Sequence, residues 1–347
     1  MLNKAVIDLN ILTKNALSIK RKLNKKTLFN AVVKADAYGH GAETVANALY
    51  KVVDSYSVAL AEEGIRLRLS GIDKDILCFT PFDYADAQRA ISFALTATAT
   101  NAEQIKMLAQ IARNQGRTIN VHIKYNTGMN RQGANSIDEL KQLIQLIEKE
   151  KSVVLSGLYS HFARPNNKKS LKCALNKFLL ANNLVKGYNN KAICHISASG
   201  GFLQGVELDM VRIGILLYGY TPFPTNKLNV QPVMKVYAPV LCQRHLKKGE
   251  CALYGDKKTF KDTNVALVRY GYADGLPRTE IDGQFNNRCM DLTAYTTTYD
   301  TAYTKAQSCE HDFLVMENAE QLAKKYQTIS YEILTKCAIR AEKIYLR

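Results

Sequence analysis

No apolar run in this 347-residue sequence approaches the ~18 residues that a membrane span needs, so no membrane association is expected. Export is not expected either. Met1 to Ile11 alternates charged and apolar residues, instead of a basic start followed by an apolar core and a small-residue cleavage site. The eight cysteines, at 78, 173, 194, 242, 251, 289, 309 and 337, include no CxxC pair and no zinc-type or disulfide-type spacing. Reduced thiols, a cytoplasmic location and no metal are the expectation. Low-complexity tracts, solenoid repeats and Pro-rich linkers are also absent.

Acidic residues are scarce: 47 Lys and Arg face 31 Asp and Glu, a formal net charge of +16. Such an excess raises the question of nucleic acid, but no basic motif with interleaved aromatics accompanies it. Its densest cluster, Lys20, Arg21, Lys22, Lys25 and Lys26, reads as the solvated face and end of a first helix. No nucleic-acid partner is expected, although the charge would draw anionic ligands from a distance.

What the chain does have is alternation. It is long enough for a large barrel and a smaller second domain. Short apolar runs near Leu28 to Val33, Tyr56 to Leu60, Ile76 to Phe79, Leu95 to Thr98, Ile119 to Ile123, Leu155 to Tyr159, Ala192 to His195 and Met210 to Tyr218 read as eight strands. Segments such as Ala102 to Arg113, Ile137 to Glu148 and Leu171 to Val185 repeat apolar residues at three and four, as helices do. Eight strand-helix units predict an α/β fold with a TIM (β/α)8 barrel over residues 8–230. Beyond a soft boundary near Asn229 to Val233 the texture turns to short β-rich runs, Val236 to Cys242 and Val265 to Tyr270, which predicts a mainly β domain over 231–347.

In such barrels reactive groups come from the C-terminal strand ends and the loops after them. That filter selects Lys34, Lys124, Arg131, His161, Ser199, Arg212 and Gly214. Lys34 stands out because it ends the strand-like Ala31-Val32-Val33 and opens a small-residue loop. An amine desolvated there has a lowered pKa and becomes nucleophilic toward an aldehyde; the alternative is an ordinary lysine snorkelling from a strand end. Arg212, inside an apolar run, can equally be a packing or ion-pair residue. Ser197 and Ser199 can be a helix cap, a role compatible with a phosphate site.

The run Val32-Val33-Lys34-Ala35-Asp36-Ala37-Tyr38-Gly39-His40-Gly41 closely resembles the cofactor-lysine signature of the alanine racemases. Four further segments are similar to that family in its order: Lys124 to Arg131, Tyr159 to Ala163, Val211 to Gly219, and Gly271 to Gly275 with Pro277-Arg278. The resemblance implies a racemase that interconverts L- and D-alanine and supplies D-alanine for bacterial cell-wall synthesis. Its implied cofactor is pyridoxal 5'-phosphate in Schiff-base linkage to Lys34. The resemblance further implies a homodimer in which the C-terminal domain, joined by residues 1–7, completes the active site of the second subunit.

Racemisation removes a proton from one face of the α-carbon and returns one to the other, which two opposed bases accomplish. The resemblance assigns them to Lys34 and to Tyr254 of the partner subunit. His161 and Arg212 are implied to form a hydrogen-bonded chain to that tyrosine. Arg212, which does not readily give up a proton, would face the pyridine nitrogen and leave it unprotonated. Tyr38, Ser199, Tyr331 and the backbone at Gly214 and Ile215 match phosphate anchors. Arg131 and the backbone amide of Met290 of the partner subunit match the substrate-carboxylate site, and Tyr272 the entrance. Lys124 occupies a position that is carbamylated in some members, the alternative being a solvated lysine.

One region departs from the pattern. The stretch from Gly275 to Met290 is shorter than usual, and Asn286-Asn287-Arg288-Cys289-Met290-Asp291 has one residue fewer than the expected spacing. Because this segment shapes the pocket, a broader racemase acting on serine, for example, is the nearest alternative. A non-catalytic pyridoxal-phosphate regulator is a more distant one; it would lack the second domain and Tyr254.

Overall fold

The computed structural model describes residues 2–250, 258, 262–276, 294–299 and 312–347. Tyr254 and Met290 lie outside the described residues. The chain divides into two compact units. One comprises Leu12–Ala37 and Ala42–Gln231; the other comprises Met1–Ile11, Tyr38–Gly41 and Pro232–Arg347.

Strand β1 (Lys4–Asp8) and helix α1 (Leu9–Lys20) open the chain, with Lys20 in the last turn of the helix. The barrel strands follow: β2 (Leu28–Val32), β3 (Ser55–Val58), β4 (Ile76–Cys78), β5 (Ala97–Ala99), β6 (Ile119–Lys124), β7 (Val153–Tyr159), β8 (Ile193–His195) and β9 (Met210–Ile213). Each of the eight runs expected to be strands overlaps one. They pair in parallel in the orders β4-β3-β2-β9 and β5-β6-β7-β8. Parallel bridges at Leu77↔Thr96 and Ala198↔Arg212 join the two sets, closing the ring as a TIM-type barrel.

Between the strands run α3 (Ala42–Leu49), α4 (Ala61–Leu69), α5 (Tyr84–Ser92), α6 (Ala102–Asn114), α7 (Ile137–Lys149), α8 (Lys168–Tyr188) and α9 (Ser199–Leu203). Local chemistry sets several of their starts. Asp83, Asn101, Ser136 and Asn167 each accept a hydrogen bond from the backbone amide three residues on, satisfying a donor the helix leaves unpaired. Their inward stripes, such as Leu140, Leu143, Ile144 and Ile147 of α7, are buried. None of the helices of the described residues is long and apolar enough to cross a membrane.

One element departs from helical geometry. The single turn α2 (Lys34–Tyr38) is left-handed from Ala35 onward, with φ of 51°, 54°, 53° and 54° at Ala35, Asp36, Ala37 and Tyr38. Each such L-residue costs roughly 1–2 kcal/mol, so neighbouring bonds must hold the turn. Asp36 accepts the Ala42 amide at 2.8 Å, and Ala37 donates to the Val33 carbonyl at 2.9 Å.

The other unit is built on one sheet, β12 (Ala294–Tyr299), β11 (Thr263–Arg269), β10 (Met234–Leu246), β1 and β14 (Glu342–Leu346), with β13 (Asp312–Met316) also on β10. β1 pairs antiparallel with β10 and parallel with β14, so the first residues of the chain belong to this sheet. Helices α10 (Ala319–Lys325) and α11 (Ser330–Cys337) complete it. Buried Asp274 accepts from Asn3 Nδ2 at 3.2 Å and from the Gly271 amide at 3.0 Å, fixing the short 3₁₀ turn Tyr272–Asp274.

Candidate active site

Arg212, on β9, is the largest fully buried side chain among the described residues. Its guanidinium donates to the carbonyls of Ser160 (2.7 Å) and Ile196 (3.2 Å), approaches His161 Nδ1 at 3.5 Å, and bonds to His195 Nδ1. Burial lowers its pKa to about 10. No carboxylate pairs with it among the described residues, so the ion-pair alternative does not describe it.

A second line of buried groups continues from it. His195 Nε2 lies 2.9 Å from His122 Nδ1 on β6, and the Tyr159 ring stacks on His195 at 5.3 Å. The same ring carries Lys124 Nζ at 4.2 Å from its centroid and the Arg212 guanidinium at 5.3 Å. Tyr159 is therefore an aromatic platform between two cations, its hydroxyl 2.9 Å from Thr98 Oγ1. Desolvation pushes that hydroxyl up to about 12 and the His122 ring down to about 3. The His122 ring also demands a glycine opposite: a Cβ on Gly157 would stand 2.5 Å from His122 Nε2.

Lys124 is not the solvated lysine of the alternative reading. It is 3 % exposed, and its Nζ has no hydrogen-bond partner among the described residues. Burial, followed by the charges of Arg212 and Arg131, holds its pKa well below the usual lysine value. Lys34, half-buried where β2 ends, is lowered for the same first reason, then by Arg131, with Glu63 opposing. His161 is held well below the usual imidazole range by burial and then by Arg212, Lys124, Arg131 and Lys34 in turn. Arg131 is exposed on the loop that Asn126 organises, where the Gly128 and Asn130 amides both donate to Asn126 Oδ1 at 3.0 Å. Four basic side chains, Lys34, Lys124, Arg131 and Arg212, thus act on one another, and among the described residues none of them forms an ion pair with a carboxylate.

Ser199 does not cap α9: Ala198 holds that position without a side-chain bond, and the Ser199 hydroxyl instead accepts the Gly214 amide at 3.3 Å. Ser197 Oγ donates to the Val206 carbonyl at 2.7 Å. Gly214 and Ile215 are buried just past β9. Within the other unit, Tyr38 and Tyr331 form a tilted ring pair at 5.9 Å, burial raising the Tyr331 hydroxyl to about 12, while Tyr272 is 41 % exposed.

Sequence reasoning passed over His122, His195 and Tyr159 as site residues. Strand alternation carries the signal for His122, two positions before Lys124 and hence on the same face of β6.

Strand-end cations on a closed barrel, followed by a β-rich unit, define a barrel enzyme of the two-domain kind. The alanine racemase N-terminal domain matches residues 7–222 and the C-terminal domain residues 233–345. The chain belongs to the alanine racemase family, a family of isomerases. It is 31% identical over 378 residues to an alanine racemase of Clostridium tetani, covering 99% of this chain and 95% of that one. With an alanine racemase of Clostridium acetobutylicum it shares 30% over 373 residues, at 99% and 95% coverage. The solved alanine racemase of Clostridium difficile 630 matches with a TM-score of 0.90 and 29% identity, over 100% of this chain and 96% of that one.

Proposed function

We propose that this protein interconverts L- and D-alanine with pyridoxal 5'-phosphate as cofactor. The observation that carries the reading is Lys34, an amine with lowered pKa at a barrel strand end, beside three further basic side chains, Lys124, Arg131 and Arg212, which form no ion pair with a carboxylate among the described residues. This donor set fits the cofactor. An amine whose pKa burial lowers suits its aldehyde, and a hydroxyl beside a backbone amide, at Ser199 and Gly214, suits its phosphate. Tyr38, Tyr331 and Ile215 take the phosphate-anchoring roles of the resemblance. When bound, pyridoxal phosphate withdraws electrons from the substrate and acidifies its α-hydrogen.

The chain's own residues do the rest. Lys34 Nζ removes or returns the proton on one face, and the phenol of Tyr254 of the partner subunit does so on the other. Arg212, bonded to the Ser160 and Ile196 carbonyls and to His195, offers only donors and would hold the ring nitrogen of the cofactor without protonating it. His161, kept neutral, links Arg212 toward the tyrosine. Arg131 pairs with the substrate carboxylate, joined by the backbone amide of Met290 of the partner subunit, and Tyr272 narrows the entrance. The Lys124 amine, its proton affinity lowered by burial, would add its lone pair to the carbon of carbon dioxide as one C–O π bond opens, then lose a proton, and the resulting carbamate would orient Arg131.

In this reading the enzyme is a cytoplasmic homodimer supplying D-alanine for cell-wall synthesis. Residues 8–230 hold the cofactor, and residues 231–347 with 1–7 complete the partner's site. The shortened 275–290 segment favours serine as the second substrate to examine. Racemisation rates for each common amino acid test the proposal. Alanine should be fastest; a faster serine would make the enzyme a broader racemase, and no reaction with any would overturn the reading.

A further inference from the structure

The turn that leads away from Lys34 is held by a carboxylate that the reaction above does not use. We propose that Glu63 is a positioning residue for Lys34, anchoring the left-handed turn at Ala35 and thereby presenting the amine from the end of β2. The inference rests on the reading of Lys34 as the cofactor-binding amine.

Glu63 is the third residue of α4, which follows β3, the strand next to β2. Its two oxygens serve different elements. Oε2 accepts from the Ala59 and Leu60 amides at 2.7 and 3.1 Å, closing the start of its own helix. Oε1 turns the other way and accepts the Ala35 amide at 2.6 Å. Ala35 is the first of the four consecutive residues with φ near +50°, so this charge-assisted bond sits where the strained backbone begins. Asp36, at the next position, secures the exit of the same turn through the Ala42 amide. The two carboxylates bracket the turn, and the one at its entrance adjoins the lysine.

Glu63 also acts on Lys34 by charge. The Lys34 amine lies in the field of Arg131 from the loop after β6 and of Glu63 from α4, and it in turn acts on His161 after β7. Lys124 on β6 and Arg212 on β9 add positive charge at that histidine. Glu63 is the acid that opposes this field at Lys34, so one side chain sets both the place of the amine and part of its proton affinity.

The test compares the full-length protein with Glu63→Ala, Glu63→Gln and Asp83→Ala. Asp83 caps α5 by accepting the Asp86 amide at 2.8 Å; its loss weakens a neighbouring barrel helix without touching the turn. Two quantities are read: amide hydrogen exchange across residues 33–38, and the rate at which added pyridoxal 5'-phosphate becomes fixed to Lys34 by borohydride reduction from pH 6 to 9.

Glu63→Ala should speed exchange in that segment by on the order of ten- to a hundredfold and slow fixation at every pH, with Glu63→Gln recovering part of both. Asp83→Ala should leave both unchanged. Unchanged exchange and fixation in Glu63→Ala, or the same losses in Asp83→Ala, would overturn the proposal. Peptide mapping separates the two readings: if the wild-type protein carries no label at Lys34, the cofactor assignment fails, whereas the exchange result still judges whether Glu63 holds the turn.

Discussion

His195 stands between Arg212 and His122, accepting from the guanidinium at Nδ1 and meeting His122 Nδ1 through Nε2 at 2.9 Å. A guanidinium only donates, so Nδ1 of His195 must offer a lone pair and its hydrogen must sit on Nε2. That hydrogen points at His122 Nδ1, which therefore accepts. Both imidazoles are neutral in this assignment, inferred from the bonding pattern. Protonating either would set a second donor against one already there.

This arrangement makes the fold sensitive to mild acid. Burial, then Arg212, keeps His122, His161 and His195 below the pKa they have when unfolded, so the unfolded chain binds more protons below pH ~6.5. Stability should fall with decreasing pH in that range by about 1.4 kcal/mol per pH unit for each such histidine. Urea midpoints between pH 7.5 and 5 measure it, and His122→Gln should flatten the slope. A midpoint independent of pH would contradict the assignment.

Replacing Lys34 with Ala should abolish the visible absorption of the bound cofactor. The loss of one base alone should slow racemisation by roughly 10²–10⁴-fold. Absorption spectra and single-enantiomer assays read the two effects separately.

Ser199→Ala removes the hydroxyl that meets the Gly214 amide. If that pair receives the phosphate, the variant should bind pyridoxal 5'-phosphate about tenfold more weakly, the scale of a hydrogen bond to a charged group. Equilibrium dialysis checks this, and kcat at saturating cofactor should change far less.

Lys124→Met keeps the apolar stem over the Tyr159 ring and deletes the amine. Burial, then the charges of Arg212 and Arg131, holds its pKa well below the usual lysine value and so favours the uncharged form that takes up carbon dioxide. Wild-type KM for alanine should rise in carbon-dioxide-free buffer and recover with bicarbonate. The KM of the variant should be high and indifferent to bicarbonate.

The barrel was legible because each strand is a short apolar run between helical repeats. Where chemistry is local, limits matched closely, as in α6 behind the Asn101 cap. The last apolar run outlasts its strand: Met210 to Tyr218 is apolar or small apart from Arg212, but only Met210–Ile213 is strand. Beyond it the Leu217 amide bonds to the Gly214 carbonyl and the Tyr218 amide to Ile215, a buried turn that periodicity cannot tell from a buried strand.

The left-handed turn was hidden for another reason, since Ala35, Asp36, Ala37 and Tyr38 include no glycine to flag positive φ. Its support comes from Glu63, 28 positions away, and no local pattern announces such a bond. Lys124 illustrates the same limit, because a lysine in isolation reads as solvated and only the closed barrel buries it.

The most direct test of the central claim is to incubate the purified protein with L-alanine and, separately, with D-alanine in deuterated water at saturating pyridoxal 5'-phosphate, following the α-hydrogen by NMR. The account predicts a yellow protein that replaces the α-hydrogen of both enantiomers with deuterium and carries each into the other. A protein that exchanges neither would contradict it.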